Sequence, residues 1–372
     1  MSGRTRIHSP YMEFAKLHAG RRFNLATSGI ANYPLAELPV RLEDLELTGP
    51  DGYGYEPLQQ RLAKKSGVDP DCIVAATGTS LANHLAMAAA AESGDEVLIE
   101  KPAYELLVTT AQFLGLRVRR FARREEDGFR IDPAEVERQL TPRTRLIVIT
   151  NLHNPSGVLT DEPTLRRLAE LARSTGARVL VDEVYLDLAF GEAVTSAAHV
   201  SLQDFIVTTS LTKAYGLSGL RCGWIVAEPE LARRIWRIQD LYGAGDAHPA
   251  ERLSVLALDH LDRIAARARS LLERNRPLLD DFLASRRDLQ GVRPEFGTIV
   301  FPRLLHGNVD RLASLLQEQY ETSLAPGSFF EMPQHFRIGI GGETEMVAEG
   351  LRRLGNALDK SEGVVTNREL SS

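Results

Sequence analysis

Apolar and polar positions change rhythm along this chain. The first fifty residues keep no steady period and carry Pro10, Pro34, Pro39 and Pro50, so they are expected to be irregular. From there, apolar runs alternate with amphipathic ones. PLQQRLAKKSG at 57–67 has helical spacing, and CIVAAT at 72–77 predicts a short strand. Gly78, Thr79 and Ser80 then open an Ala-rich helix. EVLIE (96–100) and LRVRRFA (116–122) predict strands flanking the helical YELLVTTAQFLG (104–115). RLIVIT (145–150) is continuously apolar, the mark of a strand buried on both faces. PTLRRLAELARSTG (163–176) predicts a helix ending on glycine, and RVLVDEVY, DFIVTTS and CGWIVA complete the strand series. Strands alternating with helices predict an α/β fold with a mostly parallel sheet covered on both faces.

After about residue 229 the texture changes. ELARRIWRIQDLY and the stretch 249–287 are helical and rich in Arg and Leu. Short β-like pieces follow at 297–303, 323–330 and 335–341, then a last helix near 343–359. The expected organisation is an N-terminal arm at 1–50 that contributes to a small domain. A large domain at 51–235, a smaller α/β domain at 236–360 and a loosely ordered polar tail at 361–372 complete it. Internal repeats are not evident.

Composition narrows the function classes. The chain has 372 residues, enough for two packed domains, with 43% hydrophobic and 25% charged residues. Its net charge of -6 argues against nucleic acid as a partner. Cys72 and Cys222 are the only cysteines, which supply neither a disulfide framework nor a metal site. No run reaches the length of a membrane span, and MSGRTRIHSPYMEF lacks the apolar core of a signal peptide. A cytoplasmic location is expected.

Four segments carry candidate chemistry, each at the C-terminal end of an expected strand, where parallel sheets place their ligands. In SLTKAYGLSGLRCGW, Lys213 follows an apolar strand, with Ser210 before it and Arg221 after it. Lysine is usually a solvated surface residue. A lysine at a strand end beside a hydroxyl and an arginine, however, suits an imine with an aldehyde cofactor that also bears a phosphate. Asp182 ends the strand RVLVD and Tyr185 follows three residues later, where a carboxylate can hold a pyridine nitrogen protonated and a phenol can bind a ring oxygen. The same pair also suits a plain strand-end cap. Asn154, in NLHNPSG, can donate to that ring oxygen or simply make a turn. His153 beside it reads as a bystander. Gly78, Thr79 and Ser80 form a helix N-terminus fit for an anion or for ordinary capping. Tyr104, downstream in PAY, can stack on a ring or belong to the core.

In this order, the segments resemble the class I/II aminotransferase family of fold-type I pyridoxal-5′-phosphate (PLP) enzymes, over roughly residues 20–360. The resemblance implies an aspartate-aminotransferase-like fold, with a seven-stranded, mostly parallel sheet in a large PLP-binding domain and a smaller α/β domain. It implies PLP bound covalently to Lys213, with Asp182 on the pyridine nitrogen and Tyr185 and Asn154 on the ring oxygen. Gly78, Thr79, Ser80, Ser210 and Arg221 are implied on the phosphate, with Tyr104 on the ring face. Arg337, in HFRIGIG, matches the family's arginine for the substrate α-carboxylate, and Gly29, in NLATSG, its substrate-contacting glycine; Asn154 is implied there too. The family usually carries a tyrosine, reaching the partner subunit's phosphate, where this chain has Gly49. Tyr53 and Tyr55 are the candidates to replace it.

The implied reaction moves an amino group between an L-amino acid and a 2-oxo acid, with Lys213 removing the α-proton, in a homodimer. The same apparatus serves lyases, decarboxylases and natural-product cyclases. A ligand sensor is less favoured, because no helix-turn-helix segment precedes residue 20. Ile30, Asn32, Tyr33 and Tyr242 are candidate side-chain selectors, and no second arginine is evident for an acidic substrate.

Overall fold

The computed structural model describes residues 7–50, 52–191 and 194–369. At its centre is a seven-stranded sheet: β1 (Ile73–Thr77), β2 (Glu96–Lys101), β3 (Arg117–Ala122), β4 (Thr144–Thr150), β5 (Arg178–Asp182), β6 (Phe205–Ser210) and β7 (Cys222–Val226). Their order across the sheet is β1-β7-β6-β5-β4-β2-β3. All neighbours pair in parallel except β7, which runs antiparallel to both β1 and β6. The start of β7 therefore lies at the edge where β1, β5 and β6 end. Six of the seven strands place nearly every residue out of solvent, as strands covered by helices on both faces require.

Three helices matter for the site. Helix α1 (Pro10–Leu17) starts on Ser9, whose Oγ accepts from Met12 N, with proline in the first turn. The expectation of an irregular N-terminal fifty residues is corrected here, because Ser-Pro opens a helix rather than a turn. Helix α2 (Gly78–Ala90) follows β1 directly, and α3 (Glu105–Phe113) follows β2.

The C-terminal third adds a small antiparallel sheet in which Phe336–Gly339 lies between Ile299–Val300 and Ala325–Pro326. The N-terminal segment joins it: Phe23–Asn24 pairs in parallel with Thr322–Ser323, and Gly339 N donates to Leu25 O at 2.7 Å. The last helix runs Thr344–Glu369, ten residues beyond the expected end and into the stretch read as a polar tail. Residues 370–372 of that stretch lie outside the described residues.

Candidate active site

Strand ends bring the candidate residues together at one edge of the sheet. A cavity of about 220 Å³ there is lined by Lys213, Asp182, Tyr185, Asn154, Tyr104, Thr79, Ser80, Ser210 and Arg221, together with Asn83, Ser28 and Tyr11. Clefts of about 600 and 340 Å³ open elsewhere. Neither contains Lys213.

Lys213 sits in the short helix Thr212–Tyr215 immediately after β6. Burial holds its amine below the usual lysine range, opposed by Tyr11 and reinforced by Arg337. Gly29 packs against its stem, where a Cβ would lie 3.2 Å from Lys213 Cδ. Ile30 N, next along, donates to Lys213 O at 2.9 Å.

Asp182 ends β5 and is buried. Burial pushes its carboxyl up to about 6, against the opposing effects of its hydrogen-bond donors and Lys213. Those donors are Val184 N at 3.1 Å and Asn83 Nδ2 at 2.8 Å. Asn83 is itself fixed by Thr208 Oγ1, which donates to Asn83 Oδ1 at 2.6 Å. Tyr185 donates to Ser28 Oγ at 2.8 Å, and burial raises its phenol above the usual range.

At the start of α2, Gly78 has a φ of +77°, and a Cβ there would run into Arg221 Nη2. Gly223, the second residue of β7, is equally confined: its Cβ would lie 2.5 Å from Gly78 C. Arg221 holds a left-handed φ of 53° and donates to Thr77 O at 3.4 Å. Thr79 Oγ1 is buried and has no hydrogen-bond partner.

Arg337 is fully buried and bonded through both terminal nitrogens. Nη1 donates to Asn154 Oδ1, and Nη2 donates to Tyr11 Oη and Ala26 O, each at 2.8 Å. Arg337 takes a core position because its strand is the middle one of its sheet. Tyr104 begins α3 and meets Tyr11 edge-on, with ring centroids 5.6 Å apart. His153 is buried behind the site, its Nδ1 2.6 Å from Ser156 Oγ and its Nε2 3.0 Å from Pro102 O. Burial holds it well below the usual histidine range. Nearby, the fully buried pair Arg123–Glu100 (2.8 Å) anchors the end of β4, since Glu100 Oε1 accepts from Thr150 N at 2.7 Å.

The expected replacements for the tyrosine at Gly49 lie apart from this cavity. Tyr53 donates to Asp240 Oδ2 at 2.9 Å, and Tyr55 packs edge-on against His248 at 4.8 Å. Both line the 600 Å³ cleft. A side chain at Gly49 would meet His248, whose ring lies 2.7 Å from the site of a Cβ. Sequence reading missed Tyr11, Ser28 and Asn83 as site residues. Asn83 did carry a signal, a lone buried amide in an Ala-rich helix.

The residue types gathered here suit an amine-reactive, phosphate-bearing cofactor. The family model for aminotransferase class I and II matches residues 45–354. Capreomycidine synthase of Streptomyces vinaceus is 31% identical over 90% of this chain and 89% of its own length. The arginine–pyruvate transaminase of Pseudomonas aeruginosa is 28% identical over 92% of each. Among solved structures, the PLP-dependent cyclase OrfR superposes with a TM-score of 0.86 at 26% identity, covering 97% of this chain and all of that one. The chain belongs to the class I and II aminotransferase family, whose members depend on PLP, and its fold is aspartate-aminotransferase-like. Among the described residues, no helix is long and apolar enough to cross a membrane.

This structure's own features fit PLP. The orphaned Thr79 Oγ1, the side-chain-free Gly78 and Arg221 offer a phosphate cradle at a helix N-terminus. The donor set of amine, carboxylate and phenol matches the cofactor's aldehyde, pyridine nitrogen and ring oxygen.

Proposed function

We propose that the protein is a PLP-dependent aminotransferase that moves an amino group between an L-amino acid and a 2-oxo acid. The observation that carries this reading is one cavity lined by the Lys213 amine, Asp182 and Asn154, with Arg337 bonded directly behind Asn154. When bound, PLP supplies a carbonyl that joins to amines and a ring that withdraws electrons from the α-carbon of an attached substrate.

In this reading the chain's residues have separate tasks. Gly78, Thr79, Ser80, Ser210 and Arg221 hold the phosphate. Asp182, oriented by Asn83, holds the pyridine nitrogen in its cationic form, since a buried anion beside it favours the charge. Tyr185 and Asn154 bind the ring oxygen, and Tyr104 covers the ring. Gly29 leaves room for the lysine stem, and Arg337 supplies the positive charge for the substrate α-carboxylate. Lys213 Nζ, whose amine burial holds below the usual lysine range, would take the proton from the substrate α-carbon and return it at the cofactor's carbonyl carbon, beyond the nitrogen that joins them. The proposed assembly is a homodimer, checked by light scattering.

The test is spectroscopic. Twenty amino acids are added singly to the holoenzyme. Loss of the visible band of bound PLP with one of them, and its return with a 2-oxo acid, is the expected result. Two relatives favour a second reading, intramolecular ring formation on the same apparatus, through the 31% identity to capreomycidine synthase and the likeness to a cyclase. A cyclic amino acid product, with no 2-oxo acid released, would select it.

A further inference from the structure

Arg337 lies on the strand Phe336–Gly339, which pairs with Ala325–Pro326, and residues 327–335 connect the two strands. Its Nε is buried and has no hydrogen-bond partner among the described residues, which leaves that nitrogen for the carboxylate of the proposed function. The connection is drawn tight. Gly327 N donates to His335 O at 2.8 Å, and Met332 N donates to Gly327 O at 2.9 Å. Inside it, Phe330 is buried, its ring centroid 5.3 Å from Arg337 Cζ and 5.8 Å from that of Tyr11. Where this connection sits therefore decides where the guanidinium sits.

The next residue breaks a local rule. Glu331 holds a φ of +61°, a left-handed conformation that glycine takes at lower cost. Its side chain reaches the main sheet: Oε2 lies 2.5 Å from Arg120 Nη1, and Oε1 lies 3.4 Å from Lys101 Nζ. Arg120, on β3, is itself fixed to β2. Its Nε donates to Ile99 O at 3.3 Å, and its Nη2 donates to Glu100 O at 2.8 Å. All three guanidinium nitrogens are engaged, one of them across to the small sheet. The Glu331 side chain is 45% exposed, and ion pairs this open contribute little to stability. Stability alone would favour glycine at this position.

We propose that Glu331 is a positioning residue for the substrate carboxylate site. Its pairs with Arg120 and Lys101 fasten the Arg337 hairpin to the main sheet, and they hold Phe330 and the guanidinium in register with the Lys213 cavity. This rests on the reading of Arg337 as the carboxylate's positive partner. Strain at one backbone position is then spent on placing a charge elsewhere, a use to which left-handed non-glycine residues are often put.

The experiment titrates the PLP-loaded protein with propionate, a monocarboxylate with no amino group, and follows the cofactor's visible spectrum. Wild type, Glu331→Gly, Arg120→Gln, the double variant and Arg337→Lys are compared, and the melting midpoint of each is recorded. Glu331→Gly should bind propionate about fivefold more weakly, the upper scale for a half-exposed ion pair, with cofactor content at the wild-type level. Its melting midpoint should stay close to wild type, because the left-handed backbone suits glycine. Arg120→Gln should weaken binding similarly, and the double variant little further, since the two residues act as one pair. At about 1 M sodium chloride the ratio between wild type and Glu331→Gly should shrink toward one. Unchanged affinity in Glu331→Gly, with Arg337→Lys weakened, overturns the role of Glu331 alone. Affinity and melting midpoint falling together overturn it as well, since that marks a merely structural residue, and so do additive losses in the double variant. If Arg337→Lys has no effect, the underlying reading of the carboxylate site falls, and this inference with it.

Discussion

Replacing Asp182 by asparagine should change how the stability of the cofactor-free protein depends on pH. Asp182 is fully buried, and burial raises its carboxyl from an ordinary 3.8 to about 6 despite the donors Asn83 and Val184 and the charge of Lys213. The protonated form is therefore the one the folded state prefers. Its contribution to stability is complete below about pH 3.8 and is lost as pH rises through about 6. A shift of roughly two units corresponds to about 3 kcal/mol, of which about 1.3 kcal/mol falls between pH 5 and 7. Asparagine does not titrate, so the variant escapes this loss. Glu183, pushed up to about 7 chiefly by burial, titrates in the same direction in both proteins and largely cancels in their difference. Urea unfolding of the PLP-free wild type and Asp182→Asn, at several pH values across this window, measures that difference. The variant should gain about 1.3 kcal/mol on the wild type between pH 5 and 7. A difference that is flat with pH, or that falls, would refute the argument that burial raises the Asp182 carboxyl in the folded protein.

Three other perturbations follow from the geometry. Lys213→Ala should abolish both turnover and the visible band of bound PLP, read by absorbance after reconstitution. Gly78→Ala places a methyl on a φ of +77° against Arg221; it should raise the dissociation constant for PLP at least tenfold and lower stability by about 1–3 kcal/mol, read by cofactor titration and thermal melting. Arg123→Met leaves Glu100 buried without its cation and should cost about 3–5 kcal/mol, measured by urea unfolding; an Arg123→Met/Glu100→Gln double variant should recover part of it.

The main sheet was legible because its strands are unbroken apolar runs, a signal that burial on both faces writes directly into sequence. RLIVIT and RVLVD were located to within a residue. The short strands were not, since two-residue pieces such as Phe23–Asn24 are defined by a distant partner, Thr322–Ser323, and not by any local period. Helix Val309–Gln319 passed unread although Asn308 caps it. In the site, Lys213, Asp182 and Arg221 were found because strand ends concentrate chemistry at one edge. Tyr11 was not found, because its place depends on how α1 docks across α3, a contact between residues that are about a hundred positions apart. Asn83 was visible as an interruption of an apolar helix, and only the fold shows that it faces Asp182.

The reversed strand β7 has an evolutionary consequence. Lys213 leaves the sheet at the end of β6, and Arg221 returns to it at the start of β7, so one connection between adjacent antiparallel strands carries both the amine and the proposed phosphate ligand. These two groups travel as a single cassette. Their spacing is insulated from drift elsewhere in the fold, and the loops that shape the substrate pocket are free to diversify around a fixed reactive pair.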